Sequence, residues 1–330
     1  MVASAVYGPV PSWRLGRSLG IDPLLSPKTC TFDCVYCQLG RTVNKILSPD
    51  GLETAIKADK VLKDLETALH GIALESIDYV TFSGTGEPTL NLELGEMIVQ
   101  VRKLIGEVPI AVLTNASLVN RKDVRANLAK ADLIVAKLDA PNQKLLETIN
   151  RPAEGLEFDK IIEGLKLLRR EASCRLALQI MFLKSKAGVR YNTQLNDVKA
   201  LIRLVDTIRP DEVEVNTPTR PPSEPSVRAV PLEKIKMIAS RFERMLSGVK
   251  VISRTRPVSL KQVKKRPERL EAEILDLITR RPCTLDDVMK TTGAKEDEID
   301  ICLRKLMEEG SIVSIRFYGK TYYKVLKRTI

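Results

Sequence analysis

An α/β fold built on a parallel sheet, followed by a small winged helix-turn-helix unit, is what this sequence predicts, and three observations predict it. Between residues 77 and 253, short β-branched and aliphatic runs alternate with segments of helical period. Most of those runs are continuously apolar, as strands covered on both faces are. After residue 270 the pattern changes to three short helices and two strand-like runs around a glycine. Repeated strand-then-helix units imply right-handed crossovers, in either a barrel or a doubly wound sheet.

The elements follow in order. A stretch near 17–24 supplies one strand and 53–69 a helix; the later strand candidates are 77–83, 109–114, 132–138, 175–183, 212–216 and 249–253. Helices are expected at 93–105, where Leu94, Met97, Ile98, Val101, Leu104 and Ile105 share a stripe, and at 157–170, with Ile161, Ile162, Leu165 and Leu168; 194–207 and 231–246 are weaker versions. In the C-terminal unit, Leu270, Ile274, Leu277 and Ile278 mark one helix, Thr284 opens a second that Gly293 closes, and Ile299, Cys302, Leu303 and Leu306 mark a third that ends at Gly310. A hairpin turning at Gly319 completes the order of a winged helix. The expected division is 1–253 as the large domain, 254–269 as a connector and 270–330 as the winged unit.

Composition narrows the chemistry. The 330 residues are 44% hydrophobic and 29% charged, enough for one large domain and a small one. No apolar run approaches spanning length, and the opening MVASAVYGPVPSW lacks a secretory pattern, so no membrane partner and a cytoplasmic location are expected. A single histidine, His70, excludes enzymes that need several placed imidazoles; it ends an apolar-periodic run before Gly71 and reads as a helix C-terminal residue. Residues 250–330 carry net +7 of the total +11. All of that +7 lies in Lys250–Arg269, where eight basic residues face Glu268 alone.

Three of the six cysteines fall within eight residues. Cys30, Cys34 and Cys37 form C-x3-C-x2-C, a loop of thiolates that can wrap one corner of a 4Fe-4S cluster and leave one iron open to an external ligand. Open coordination is what separates catalytic metal sites from closed structural ones. A Cys3His zinc site would have to recruit His70, and a disulfide would leave an odd thiol. Cys174, Cys283 and Cys302 form no second ligand set and read as structural thiols. Each strand candidate also ends in polar or small residues, notably Ser83–Glu87, Thr114–Asn115, Asp139, Lys184 and Asn216–Thr217, which would gather at the C-terminal rim where barrel enzymes build their sites.

The cysteine triplet, with Tyr36 before its last member, resembles the defining motif of radical S-adenosylmethionine (SAM) enzymes, and the resemblance covers roughly residues 6–255. YGPVPSWRLGRSLGID, SGTGEPTL at 83–90 and VNTPTRPP at 215–222 further resemble the iron-sulfur oxidoreductases related to the tRNA wyosine synthetases. The resemblance implies a partial (β/α)6 TIM-like barrel, a 4Fe-4S cluster on Cys30, Cys34 and Cys37, SAM bound to the open iron, and a one-electron donor such as flavodoxin or ferredoxin. It also implies SAM contacts from Gly86 and Glu87 in the Gly-Glu-Pro element and from Thr114 and Asn115, where the family's common Thr-Asn-Gly is Thr-Asn-Ala116. With Tyr36, Gly84, Thr85, Asp139 and Asn216 these complete the expected cofactor-binding set. Trp13 stands where close relatives carry arginine.

The third C-terminal helix holds six acidic residues against three basic ones over 295–309, a poor footprint for reading DNA. The hairpin differs, with Arg316, Lys320, Lys324, Lys327 and Arg328 beside Phe317, Tyr318, Tyr322 and Tyr323, a mixture suited to RNA. The leading expectation is a radical SAM enzyme acting on RNA, tRNA in particular, docked by Arg254–Arg269 and the wing. The alternatives are radical modification of a protein or peptide and, from another class, a redox-sensing DNA-binding regulator. Because the barrel motifs end before residue 255, removal of 255–330 is expected to weaken substrate engagement and spare SAM cleavage.

Overall fold

The structure is a computed structural model that describes residues 4–49, 52–253 and 270–326. The connector Arg254–Arg269, with Lys327 and Arg328, lies outside the described residues. In chain order the elements are β1 (Val6–Ser12), β2 (Gly16–Ile21), β3 (Thr29–Cys30), β4 (Asn44–Lys45), α1 (Ala58–Leu69), β5 (Tyr79–Phe82), α2 (Leu94–Ile105), β6 (Ile110–Thr114), α3 (Lys122–Leu128), β7 (Leu133–Lys137), α4 (Gln143–Ile149) and α5 (Phe158–Glu171). There follow β8 (Arg175–Met181), β9 (Leu183–Ser185), α6 (Leu195–Ile208), β10 (Glu212–Asn216), β11 (Val227–Ala229), α7 (Leu232–Met245) and β12 (Lys250–Ser253). The C-terminal unit holds α8 (Leu270–Arg280), α9 (Leu285–Thr292), α10 (Glu296–Glu308), β13 (Ile312–Phe317) and β14 (Lys320–Val325).

One sheet carries the large body, in the order β1-β2-β5-β6-β7-β8-β10-β12. Its strands from β2 to β12 run parallel, and β1 is added antiparallel at one edge. Alternation along each strand then sorts the side chains into two faces. Val112, Ile134, Leu176, Leu178, Ile180, Val213 and Val215 join the large core beneath the helices. On the other face Ala111, Leu133, Val135 and Ala177 meet Leu15, which the β1–β2 turn delivers.

Three expectations change. The first helix begins at Ala58 rather than 53, because Ala55 pairs with Leu24 and Ile56 N–H donates to the Pro23 carbonyl, which draws that segment into extended chain. The run 175–183 breaks after Met181: Phe182 N–H turns to the Asn216 carbonyl, and Leu183–Ser185 pairs with β11 instead. Neither β1 nor the short helices α3 and α4 was expected; β1 is interrupted by prolines and lies at an edge, where a missing N–H is tolerated.

In the C-terminal unit, Thr284 and Asp287 form a reciprocal capping box and Gly293 closes α9 at φ 69°. The β13–β14 hairpin turns through Tyr318 and Gly319, both at positive φ. Its core, around Ile274, Leu277, Leu303 and Ile312, includes Val10 of β1 with Tyr7 packed against it. His70 caps the end of α1, as expected. No helix among the described residues is long and apolar enough to cross a membrane.

Candidate functional site

The cysteine loop leaves β3 and returns through β4, a two-residue parallel pairing that closes its base. Outside bonds hold the rest. Asp33 N–H donates to the Asn150 carbonyl and Val35 N–H to the Ile149 carbonyl, both at 2.9 Å, seating the loop on the end of α4. The Ser223 hydroxyl donates to the Cys34 and Val35 carbonyls, each at 2.9 Å. Glu224 pairs with Arg41 at 2.6 Å and with Arg151 at 2.7 Å. Through these contacts the segment after β10 braces a loop that lies almost two hundred residues earlier.

The sulfurs are placed for negative charge. Cys30 Sγ accepts from Phe32 N–H at 3.5 Å and Asn115 Nδ2 at 3.4 Å, and Cys34 Sγ accepts from Asn150 Nδ2 at 3.4 Å. Burial, then the charge of Glu87, pushes the Cys30 thiol up to about 12; burial, then the charge of Cys37, does the same to Cys34. Buried thiols therefore need a cation to ionise. Lys28 is one: burial acts to lower its ammonium, but the charges of Cys37, Cys30 and Cys34 outweigh it and hold the ammonium above its ordinary value. Its Nζ donates to the Gly40 carbonyl at 2.8 Å, one turn past Cys37.

Among the described residues no three histidine, cysteine or carboxylate groups converge closely enough to hold a single metal ion. Three thiols on one loop, mutually coupled but separate, with N–H donors at their sulfurs and a buried ammonium beside them, suit a polynuclear cluster in which each thiolate holds its own iron. Asn150 fits the same picture. It is 1% exposed, and its Nδ2 is a donor to the Cys34 sulfur at 3.4 Å.

A second set of expected residues gathers around Cys30. Gly86 lets the 83–87 turn press on the loop: a Cβ there would lie 2.0 Å from the Thr29 carbonyl oxygen. Glu87 N–H donates to that same carbonyl at 3.1 Å. The Glu87 carboxylate is 2% exposed; Oε1 accepts from Thr89 N–H at 3.1 Å, the Thr89 hydroxyl at 2.7 Å and the Thr114 hydroxyl at 2.6 Å, and Oε2 accepts from Asn115 N–H at 2.7 Å. Asn115 Nδ2 reaches Thr31 Oγ1 at 2.7 Å as well as Cys30. Ala116 adopts φ 63°, the left-handed conformation that favours glycine.

Tyr36 and Asp139 form a third group with Asn150. Tyr36 donates its hydroxyl to the Asp139 carboxylate, which also accepts from Asn150 Nδ2 at 2.9 Å and Met181 N–H at 2.8 Å and faces Lys137 Nζ at 3.1 Å. Lys137 also lies 4.9 Å over the Tyr36 ring. Burial, then the Asp139 charge, holds the Tyr36 hydroxyl well above 10, so it stays a donor. The chain continues inward, from Lys137 to Gln179 at 3.2 Å, Gln179 to Glu214 at 2.6 Å and Glu214 to Arg14 at 2.5 Å. Asn216 reaches the same rim, where its carbonyl accepts from Phe182 N–H at 2.7 Å, apart from the other two groups.

Sequence reasoning missed Lys28, Asn150 and Asp22. Lys28 carried a local signal, a cation two residues before the first cysteine, and Asp22 ends the block YGPVPSWRLGRSLGID; Asn150 had none. Asp22 lies beside Gly84 and accepts from Thr85 N–H at 3.2 and 3.1 Å, and it gains its meaning only from the fold.

A family model described as the radical SAM superfamily matches residues 25–184. A UPF0026 protein of Methanocaldococcus jannaschii is 32% identical over 96% of this chain and 94% of its own length. Another UPF0026 protein, from Synechocystis, is 42% identical over 66% of this chain and 76% of its own length. Among solved structures, Streptococcus suis SuiB bound to S-adenosylmethionine superposes on 71% of this chain with a TM-score of 0.52 at 16% identity, which speaks for the fold. This chain spans 49% of that protein's length.

Proposed function

Because the chain belongs to the radical SAM superfamily, and within it to the UPF0026 proteins, we propose that it is an enzyme that modifies RNA, tRNA in particular, docked on its C-terminal unit. When bound, a 4Fe-4S cluster and SAM supply an electron and a carbon-centred radical that can take a hydrogen atom from a substrate. Cys30, Cys34 and Cys37 are assigned to hold the cluster, and Lys28, Asn115 and Asn150 to offset its charge. The backbone at Gly84–Gly86 and the Glu87 carboxylate are assigned to the SAM ammonium. Among the described residues Glu87 Oε2 has one protein donor, which leaves it acceptor capacity for that pairing. Thr114 and Asn115 are assigned to the ribose side, and Tyr36, Asp139 and Asn216 frame the remainder of the rim. Flavodoxin or ferredoxin is the expected electron donor.

One observation carries the RNA reading: the hairpin is fastened beside the rim. Tyr322 donates its hydroxyl to the Thr219 carbonyl at 3.0 Å, just past β10, and Ala229 N–H donates to the Tyr318 hydroxyl at 2.9 Å. Arg316, Lys320 and Lys324 are exposed on the same two strands, so a polyanion gripped there lies next to the strand ends. The first turn of α10 carries Glu296, Asp297 and Glu298, which repel phosphate and oppose insertion of that helix into a DNA groove.

The test is to add bulk tRNA or a soluble protein fraction to the anaerobically reconstituted, reduced enzyme and measure 5'-deoxyadenosine release. Acceleration by tRNA, with affinity that falls steeply with salt and a salt slope reduced by about three in R316E/K320E/K324E, is expected. Acceleration by the protein fraction alone would overturn the RNA reading.

A further inference from the structure

The turn assigned to SAM has a second buried carboxylate beside it. Asp22 follows β2 with its side chain fully buried, and its oxygens accept from Thr85 N–H at 3.2 and 3.1 Å and from Leu24 N–H at 3.2 Å. Gly84 makes room for it: a Cβ at that position would lie 2.1 Å from the carboxyl carbon. The countercharge comes from Arg280, the last residue of α8 and 258 positions away, whose Nε donates to Asp22 Oδ2 at 3.1 Å. The Arg280 side chain is 3% exposed. Its guanidinium also lies 4.9 Å over the ring of Tyr7, whose hydroxyl is 3.0 Å from Ser83 Oγ. Arg280 therefore reaches the turn at two neighbouring residues, Thr85 through Asp22 and Ser83 through Tyr7.

We propose that Arg280 is a positioning residue for SAM: from the C-terminal unit it fixes, through Asp22 and Tyr7, the backbone of the 83–87 turn, so that this unit is part of the cofactor site. The proposal rests on the reading that this turn binds SAM. It runs against the expectation that residues 255–330 can be removed without touching the cofactor. A charge-assisted bond to a backbone N–H is strong and directional, and Asp22 is held in that role only while its countercharge is present. Among the described residues Arg280 is the cation that pairs with the Asp22 carboxylate. A role confined to fastening the C-terminal unit would change overall stability and leave the turn as it was.

The experiment uses the full chain in four variants, R280M, R280K, R280M/D22N and E87Q. Hydrogen exchange over 83–87 is read before cluster loading, and SAM dependence is read after it. R280M is expected to raise exchange at 83–87 and to increase the KM for SAM about tenfold, with kcat at saturating SAM nearly unchanged. R280K is expected to recover part of both effects, since it restores charge without the planar fork. The double variant removes the unpaired carboxylate, folds without that penalty, and is still expected to show the raised KM, because Thr85 then meets only a neutral amide. Wild-type exchange and wild-type KM in R280M and the double variant, with a lowered melting temperature alone, would overturn the relay. Unchanged SAM affinity in E87Q would instead overturn the assignment of the turn to SAM, and with it the cofactor half of the proposal.

Discussion

The two flanks of the 83–87 turn are held in opposite ways. On one side Glu87 is satisfied by neutral donors from close at hand, the Thr89 backbone and hydroxyl and the Thr114–Asn115 strand end. On the other side Asp22 is satisfied by a guanidinium from the C-terminal unit. Both carboxyls are pushed up by burial, and in both the donors pull back. The first arrangement belongs to the barrel and can form with it. The second ties the same turn to a C-terminal unit 258 positions along the chain, whose core also takes in Val10 of β1.

The comparison can be broken or sharpened in several places. The largest effect is expected outside both flanks, at the cysteine loop: C34A removes a proposed cluster ligand, and iron content and 5'-deoxyadenosine release are expected to fall to background, read by iron assay and product chromatography. On the distant flank, R280M leaves a buried carboxylate unpaired and is expected to cost about 3–5 kcal/mol in denaturant unfolding, with most of it regained in R280M/D22N. T114V removes one donor to Glu87 and is expected to cost about 1–3 kcal/mol, with no loss of the C-terminal unit's attachment.

Asp287 gives a pH test of the same junction. Burial opposes its charge, but Arg220 and Arg281 outweigh it and hold the carboxyl below 3.8, so its contribution is complete above that pH and is lost as pH falls through the folded value. D287N is expected to flatten that limb of the stability profile. The smallest effect is at Ala116, whose left-handed φ of 63° A116G would relieve, while losing a buried methyl; a change within about 1 kcal/mol is expected.

Much of this was legible in the sequence, and the boundary of legibility has a physical cause. The runs 109–114 and 132–138 became β6 and β7 within a residue at each end, because continuous apolar character survives wherever a strand is covered on both faces, and 212–216 became β10 on its alternation of glutamate and valine. Thr284, Gly293 and Gly319 marked their caps and turn for equally local reasons. The cysteines, Gly86, Glu87, Thr114 and Asn115 stood in short motifs, and they converge on Cys30. The partners of Asp22, Asn150 and Arg280 were not legible, since each acts across a span that only the folded chain closes; Arg280 reads in the sequence as an ordinary basic residue ending a helix. Tyr36 and Asp139 were found but point to each other.

The measurement that tests the account most directly is 5'-deoxyadenosine released from SAM by the reconstituted, reduced full-length protein, with and without tRNA. Release that requires all three loop cysteines and rises when tRNA is added is the expected result. A protein that takes up its iron and sulfide and yet leaves SAM intact under both conditions would contradict it.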